Sequence, residues 1–248
     1  MGIYLSLKTS LKRLKNVTNT NEDVVDIIEP TEEEYYTRLF TQSADWNKPT
    51  PNYEEQLRWV IIENFMYYIK GYNTHANNKT KAKLLDLGCG RGWLSNLLSD
   101  YGDVTGIEPI KPVIQYAQTL FQDLNLICGT TKDLLADGKI ACYDIIVCSE
   151  VIEHIPDDKK SEFLNEIKTL LKKNGFLIVT TPRKDAEEEW RKYSTPGQPV
   201  EDWLSEASLE ALFKQASFGT HSMQRFSIPP AENAPEVEIY QLWLVQNN

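Results

Sequence analysis

Several familiar resources are scarce in this chain. Three histidines among 248 residues exclude a histidine-rich metal centre. The four cysteines, Cys89, Cys128, Cys142 and Cys148, form no Cys-x-x-Cys pair. Three of them fall in apolar, strand-like runs and read as buried thiols of a reducing compartment. No apolar run approaches the roughly 18 residues of a membrane span. No signal-peptide pattern opens the chain, so the cytoplasm is the expected location. There are no internal repeats and no low-complexity segments. Hydrophobic residues make up 41% and charged residues 25%, which excludes wholesale disorder. The length suits one α/β domain with a short appendage, large enough for a core without staples.

The charge that is present is unevenly spread. Residues 1–21 hold Lys8, Lys12, Arg13 and Lys15 and no acid, which is +4 against a chain total of −10 and leaves −14 for the rest. Such a body repels phosphate backbones and speaks against tight nucleic-acid binding. In the basic segment, Ile3, Leu7, Leu11 and Leu14 recur at helical spacing. This fits either an amphipathic helix in weak contact with a membrane surface or a basic tail or docking helix. Met1-Gly2-Ile3-Tyr4-Leu5-Ser6 also fits a myristoylation pattern.

Residues 31–70 read as helical, with Leu57, Val60, Ile61, Phe65, Tyr68 and Ile69 at near-helical intervals and Gly71 as the stop. After a polar loop, short apolar runs at Lys83–Leu87, Val104–Ile107, Leu126–Cys128, Asp144–Cys148 and Phe176–Thr180 alternate with helical stretches at 92–100, 111–121, 159–172 and 206–217. That alternation predicts a parallel sheet with helices on both faces. Met223–Ile228 and Val237–Val245 have only a proline-rich link between them, which predicts an antiparallel C-terminal hairpin at the sheet edge.

The segment richest in chemistry is Leu84-Leu85-Asp86-Leu87-Gly88-Cys89-Gly90-Arg91-Gly92-Trp93-Leu94. A strand ends in an acid, glycines alternate, and a helix begins. Gly88 and Gly90 let a ligand approach where a Cβ would collide. The next strand ends in Glu108, placed to accept the two hydroxyls of a ribose. Together these features point to a nucleoside cofactor. The spacing is Gly-x-Gly-x-Gly, not the Gly-x-Gly-x-x-Gly of dinucleotide binders, which argues against the rival reading of a nicotinamide oxidoreductase. Asp86 would repel a pyrophosphate and suits a cationic ligand such as the amino and sulfonium region of S-adenosylmethionine.

From about Tyr35 to the C-terminus, and most specifically from Leu84 to Pro182, the sequence resembles the class I S-adenosylmethionine-dependent methyltransferases. It is most similar to the branch of the ubiquinone-biosynthesis O-methyltransferases. The resemblance implies a Rossmann-like, seven-stranded, mostly parallel sheet with a reversed last hairpin. It implies S-adenosylmethionine as cofactor and S-adenosylhomocysteine as product. The cofactor loop maps onto Asp86, Gly88, Cys89, Gly90 and Gly92, the ribose acid onto Glu108, the adenine-side loop onto Gly129-Thr130-Thr131, and the segment after the fourth strand onto Ser149-Glu150-Val151-Ile152-Glu153-His154. Tyr35-Tyr36, Trp46, Pro51-Asn52 and Arg58 are similar to the segment that covers the cofactor. By that resemblance Arg58 would grip the methionine carboxylate; otherwise it is a surface arginine on an amphipathic helix.

The implied reaction is O-methylation of a hydroxyl on a small molecule or glycan, with N- or C-methylation and RNA 2′-O-methylation as alternatives. His154 would be the general base with Glu150 as helper, or His154 packs at a helix start. Glu150, Glu153 and His154 offer Mg²⁺ a ligand set. The small-RNA 2′-O-methyltransferases have a similar Glu-x-x-Glu-His completed by a later histidine, which is absent from Gln198–Trp203 here. The chain thus divides into a basic tail or helix at 1–30, a helical cap at 31–80, and a catalytic domain at 81–248. Within the last, 183–203, with Trp190, Arg191, Tyr193 and Trp203, is either a lid or a packed connection.

Overall fold

A computed structural model describes residues 30–72, 81–195, 198–199 and 201–248. The basic segment and the myristoylation pattern lie outside the described residues.

The sheet has seven strands: β1 (Ala82–Leu87), β2 (Gly102–Glu108), β3 (Asn125–Cys128), β4 (Tyr143–Ser149), β5 (Leu171–Pro182), β6 (Phe218–Ile228) and β7 (Val237–Asn247). Their order is β3-β2-β1-β4-β5-β7-β6. The first five pair in parallel, and β7 runs antiparallel to both β5 and β6. The C-terminal hairpin is therefore present, but only one of its strands opposes the sheet. Hairpin strands must oppose each other, so with β7 beside β5, β6 takes the edge and runs with the rest.

The near-continuous apolar strands are explained by burial on both faces. Leu84, Ile145, Ile178 and Leu244 belong to one apolar cluster, and their neighbours Leu85, Ile146, Leu177 and Val245 to the other. Helix α2 (Tyr53–Tyr72) and α3 (Trp93–Leu98) cover the first face. Helix α6 (Lys160–Leu170) and α8 (Glu206–Gln215) cover the second.

The helical region before the sheet consists of two helices. Helix α1 (Glu32–Gln42) starts at a Thr31–Glu34 capping box. A loop carrying Pro49 and Pro51 then interrupts, because proline removes a donor and blocks the turn before it. Helix α2 restarts where Asn52 and Glu55 exchange backbone-to-side-chain bonds at 2.8 and 2.9 Å. It runs through Gly71 to Tyr72, so that glycine does not stop it.

Among the described residues the remaining α-helices are α4 (Lys111–Leu120), α5 (Thr131–Ala136) and α7 (Glu187–Arg191). Neither α5 nor α7 is visible as a pattern, since both are under two turns long. The cysteine expectation also needs correction. Cys89 and Cys148 are buried, but Cys142 is only partly so and Cys128 is exposed, because β3 is a four-residue edge strand. Among the described residues, no helix is long and apolar enough to cross a membrane.

Candidate functional site

The glycine-rich turn leaves β1 at the carboxyl end of the sheet. The backbone N–H groups of Gly88 and Cys89 both donate to the Ile107 carbonyl, at 2.9 and 3.0 Å, which folds the turn onto β2. Gly88 has φ +72°, and a Cβ there would stand 2.4 Å from Val151 Cγ2, so no side chain fits. The Gly90 N–H donates to Glu108 Oε2 at 3.1 Å, and the Ile110 N–H donates to Glu108 Oε1 at 3.1 Å. Asp86 accepts from Ser95 Oγ at 2.6 Å, tying the strand end to α3. Burial pushes both acids up to about 7, against the pull of those hydrogen bonds.

Arg91, inside the same turn, is fully buried. Its Nη1 and Nη2 donate to Glu55 Oε1 and Oε2 at 2.7 and 2.6 Å. Its Nε donates to the Lys48 carbonyl at 2.6 Å and Nη2 to the Thr50 carbonyl at 3.2 Å. The cofactor loop is thereby latched to the 43–52 loop and to the start of α2.

Arg58, one turn along α2, is buried too. Its Nη2 donates to Glu54 Oε1 at 3.0 Å and lies 3.4 Å from Glu150 Oε2. Its guanidinium carbon stands 5.0 Å from the Tyr240 ring centroid, and the Tyr240 hydroxyl donates to Glu54. Glu150 holds a left-handed backbone at φ +56°. Its Oε1 accepts from Thr180 Oγ1 at 2.8 Å, and Ser149 Oγ is 2.9 Å from the same hydroxyl. Burial raises Glu150 to about 8, with Arg58 opposing and Glu153 adding to the rise. Glu153 is buried, accepts from Thr181 Oγ1 at 2.9 Å, and is raised to about 7 by burial. Both His154 ring nitrogens lie 3.3 Å from the Tyr36 hydroxyl, which donates to Gln198 Oε1 at 2.7 Å.

One cavity of about 260 Å³ opens over these strand ends. Its wall brings together Arg58, Asp86, Gly88, Cys89, Gly90, Ser149 and Glu150 of the expected residues. It does not reach the others. Glu108 lies behind Gly90. Thr130 is occupied in a capping box with Asp133, and Thr131 Oγ1 donates to Glu166 at 2.5 Å. His154 stands behind Tyr36, which is on the wall. Among the described residues, no three His, Cys, Asp or Glu side chains gather as metal ligands would. The expected Mg²⁺ set is spent on other partners: Glu150 on Arg58 and Thr180, Glu153 on Thr181, and His154 on Tyr36.

Sequence reasoning assigned no role to Glu54, Glu55, Arg91, Glu201 or Tyr240, all of which line the cavity. Glu54 was readable in principle, four residues before Arg58 on one helix face. Arg91 and Glu55 are 36 positions apart, and Tyr240 comes from the last strand, so neither carries a local signal.

Five carboxylates, the buried Asp86, Glu108 and Glu153 and the half-buried Glu150 and Glu201, have raised values, between about 7 and about 8. Folded protein binds their protons more tightly than unfolded chain does. Their contribution to stability is therefore complete below the ordinary carboxylate range and is lost as pH climbs through about 7 to 8. The urea midpoint of the ligand-free protein is expected to fall between pH 5 and pH 8, and to fall less in Asp86→Asn. An equal slope in the variant would show that Asp86 titrates normally.

The sheet order, the single reversed strand and a glycine-walled cavity at the strand ends define a Rossmann-like methyltransferase architecture. Solved structures share it. A Pyrococcus horikoshii OT3 protein superposes with a TM-score of 0.63 at 20% identity, over 86% of this chain and 99% of that one. An S-adenosylmethionine-dependent methyltransferase from Methanosarcina mazei gives 0.57 at 17% identity, over 69% and 95%. At those identities the likeness is one of fold. The chain belongs to the methyltransferase domain family, whose model matches residues 54–222. Among curated proteins, the ubiquinone biosynthesis O-methyltransferase of Histophilus somni is 30% identical over 166 residues, 63% of each chain. Its Rickettsia felis namesake is 31% identical over 120 residues, 46% of this chain and 47% of that one. The chain thus spans from about half to just under two thirds of these relatives.

Proposed function

We propose that the chain is an S-adenosylmethionine-dependent methyltransferase that methylates a hydroxyl of a small molecule or glycan. The observation that carries this is a cavity in which the bare backbone of Gly88 and Gly90, the Arg58 guanidinium and the Glu150 carboxylate share one wall. The wall suits the cofactor. Gly88 and Gly90 present no side chain, Arg58 Nε is buried without a partner, and Asp86 offers a carboxylate for an ammonium. Arg58 would hold the methionine carboxylate, with Ser149 and Cys89 beside it; beyond the cavity, Glu108, behind Gly90, would take the ribose hydroxyls, and the Thr130–Thr131 turn would flank the adenine. When bound, S-adenosylmethionine supplies a methyl on a sulfonium, an electrophile with a good leaving group.

The protein's own task is to orient the acceptor, keep water out and take a proton from the hydroxyl. Glu150 is the group on the wall for that proton, and at about 8 its value lies near neutrality. His154 reaches the cavity only through the Tyr36 hydroxyl, so it acts behind that ring. Residues 31–80 serve as cap and 183–203 as lid. The net charge of −10 favours a small acceptor over RNA.

Calorimetry tests the cofactor first. Wild type is expected to bind S-adenosylmethionine and S-adenosylhomocysteine with dissociation constants on the order of micromolar. Glu108→Ala is expected to weaken both by roughly 10- to 100-fold, the worth of a hydrogen bond to a charged group. A folded wild type that binds neither would sink the reading.

A further inference from the structure

Four side chains on the cavity wall each hold a buried polar atom with no hydrogen-bond partner among the described residues: Trp46 Nε1, Arg58 Nε, Glu201 Oε2 and Trp203 Nε1. Each such atom forfeits the hydrogen bond it had in water unless something meets it. Concentration of the unmet groups on one wall marks where a ligand satisfies them. Arg58 is accounted for by the cofactor carboxylate. Two indole N–H donors and one carboxylate acceptor are left, on residues that line the same cavity.

We propose that the acceptor is a polyhydroxylated ring of the sugar or cyclitol type, and that Glu201 and Trp203 read its hydroxyls, Trp203 Nε1 donating and Glu201 Oε2 accepting. This rests on the methyl-transfer reading above and narrows its acceptor. An indole N–H can only donate, so Trp46 and Trp203 require oxygen acceptors on the ligand. Glu201 requires a donor. A hydroxyl is both, and adjacent hydroxyls on one ring serve two wall groups at once. A hydrocarbon chain leaves all three unmet. A phosphate or carboxylate finds, among the described residues, no unmet cation on this wall once Arg58 holds the cofactor. An ammonium gives the two indoles nothing.

The remaining surroundings agree. Trp190 and Trp203 are buried in one apolar cluster and also line the cavity, and Tyr35 adds a further ring. Flat aromatic surface packs against the C–H faces of a saturated ring while the polar tips take its edge. Burial, with Glu153 next, pushes Glu201 up to about 8, so at neutral pH it keeps its proton and faces an uncharged acceptor without stranding a charge.

The test uses the full chain with tritiated-methyl S-adenosylmethionine. One arm offers the methyl pyranosides of glucose, galactose and mannose, and myo-inositol. The other offers catechol and simple phenols. Label is expected in at least one polyol. Removing a hydroxyl adjacent to the methylated one is expected to lower kcat/KM at least about 100-fold, as in sites built to hydrogen-bond a substrate hydroxyl. Glu201→Gln is expected to lower kcat/KM for that polyol at least about 10-fold, with the S-adenosylmethionine dissociation constant within about twofold of wild type. A chain that binds S-adenosylmethionine and labels phenols only, or nothing in either arm, overturns this inference alone. So does a deoxy analogue turned over like its parent, or an unaffected Glu201→Gln. A chain that binds no S-adenosylmethionine overturns the methyl-transfer reading and this inference with it.

Discussion

Glu55→Ala is expected to destabilise the protein by about 3–5 kcal/mol in urea unfolding, because it strands Arg91 as a buried, unpaired charge. Arg91 is wholly inside, and both Glu55 oxygens lie 2.6–2.7 Å from its guanidinium. Glu55 Oε2 also accepts from the Asn52 N–H at 2.8 Å, so the same substitution uncaps α2. Arg91→Met should cost less than the loss of Glu55 if the stranded charge dominates, since methionine fills the space without a charge. The double replacement Glu55→Met with Arg91→Met should recover at least about 1 kcal/mol relative to the sum of the singles. Simple additivity would show that the two act independently and remove the latch from the account. The latch joins the cap to the glycine turn. Cofactor affinity should therefore fall along with stability in the single variants.

The glycine turn, the strand–helix alternation and the order of Asp86, Glu108 and Glu150 were readable because each is a local pattern. Period-2 apolar runs and glycines at fixed offsets are written within a dozen residues. The orientation of β6 was not, since an edge position depends on which strand β5 accepts, and nothing within the hairpin records that. The apolar spacing was readable from Tyr53 to Ile69, where α2 lies, but the bounds of α1 and the break at Pro49 and Pro51 were not resolved within the helical stretch 31–70. The site shows the same division. Residues on the turn and at the ends of β1 and β4 lie on the cavity wall, whereas Glu108 at the end of β2 and Thr130 and Thr131 after β3 do not. Those whose partners come from distant segments did not announce themselves: Arg91 with Glu55, Tyr240 with Glu54, and Glu201 near the two tyrosines of α1. His154 illustrates the converse. The residue type suited a base, but Tyr36 from a helix 118 positions earlier occupies the space before it.

That geometry sets the order of effect for the proton-transfer residues. Glu150→Gln keeps the shape and the Thr180 contact but removes the base, and kcat is expected to fall about 10²- to 10⁴-fold. S-adenosylmethionine affinity should change little, since Arg58 keeps Glu54 at 3.0 Å. The pH profile gives a second readout. A base works only when deprotonated, and Glu150 in the ligand-free protein is raised to about 8, so wild-type kcat/KM should climb with pH and level off above that value. The limb in kcat should lie lower, because a bound sulfonium favours the carboxylate form. Both limbs should vanish in Glu150→Gln. His154→Gln should cost less in kcat, as its effect passes through the Tyr36 hydroxyl. If His154→Gln removes the limb and Glu150→Gln keeps it, the base is His154, and the Tyr36 ring must swing aside when the acceptor binds.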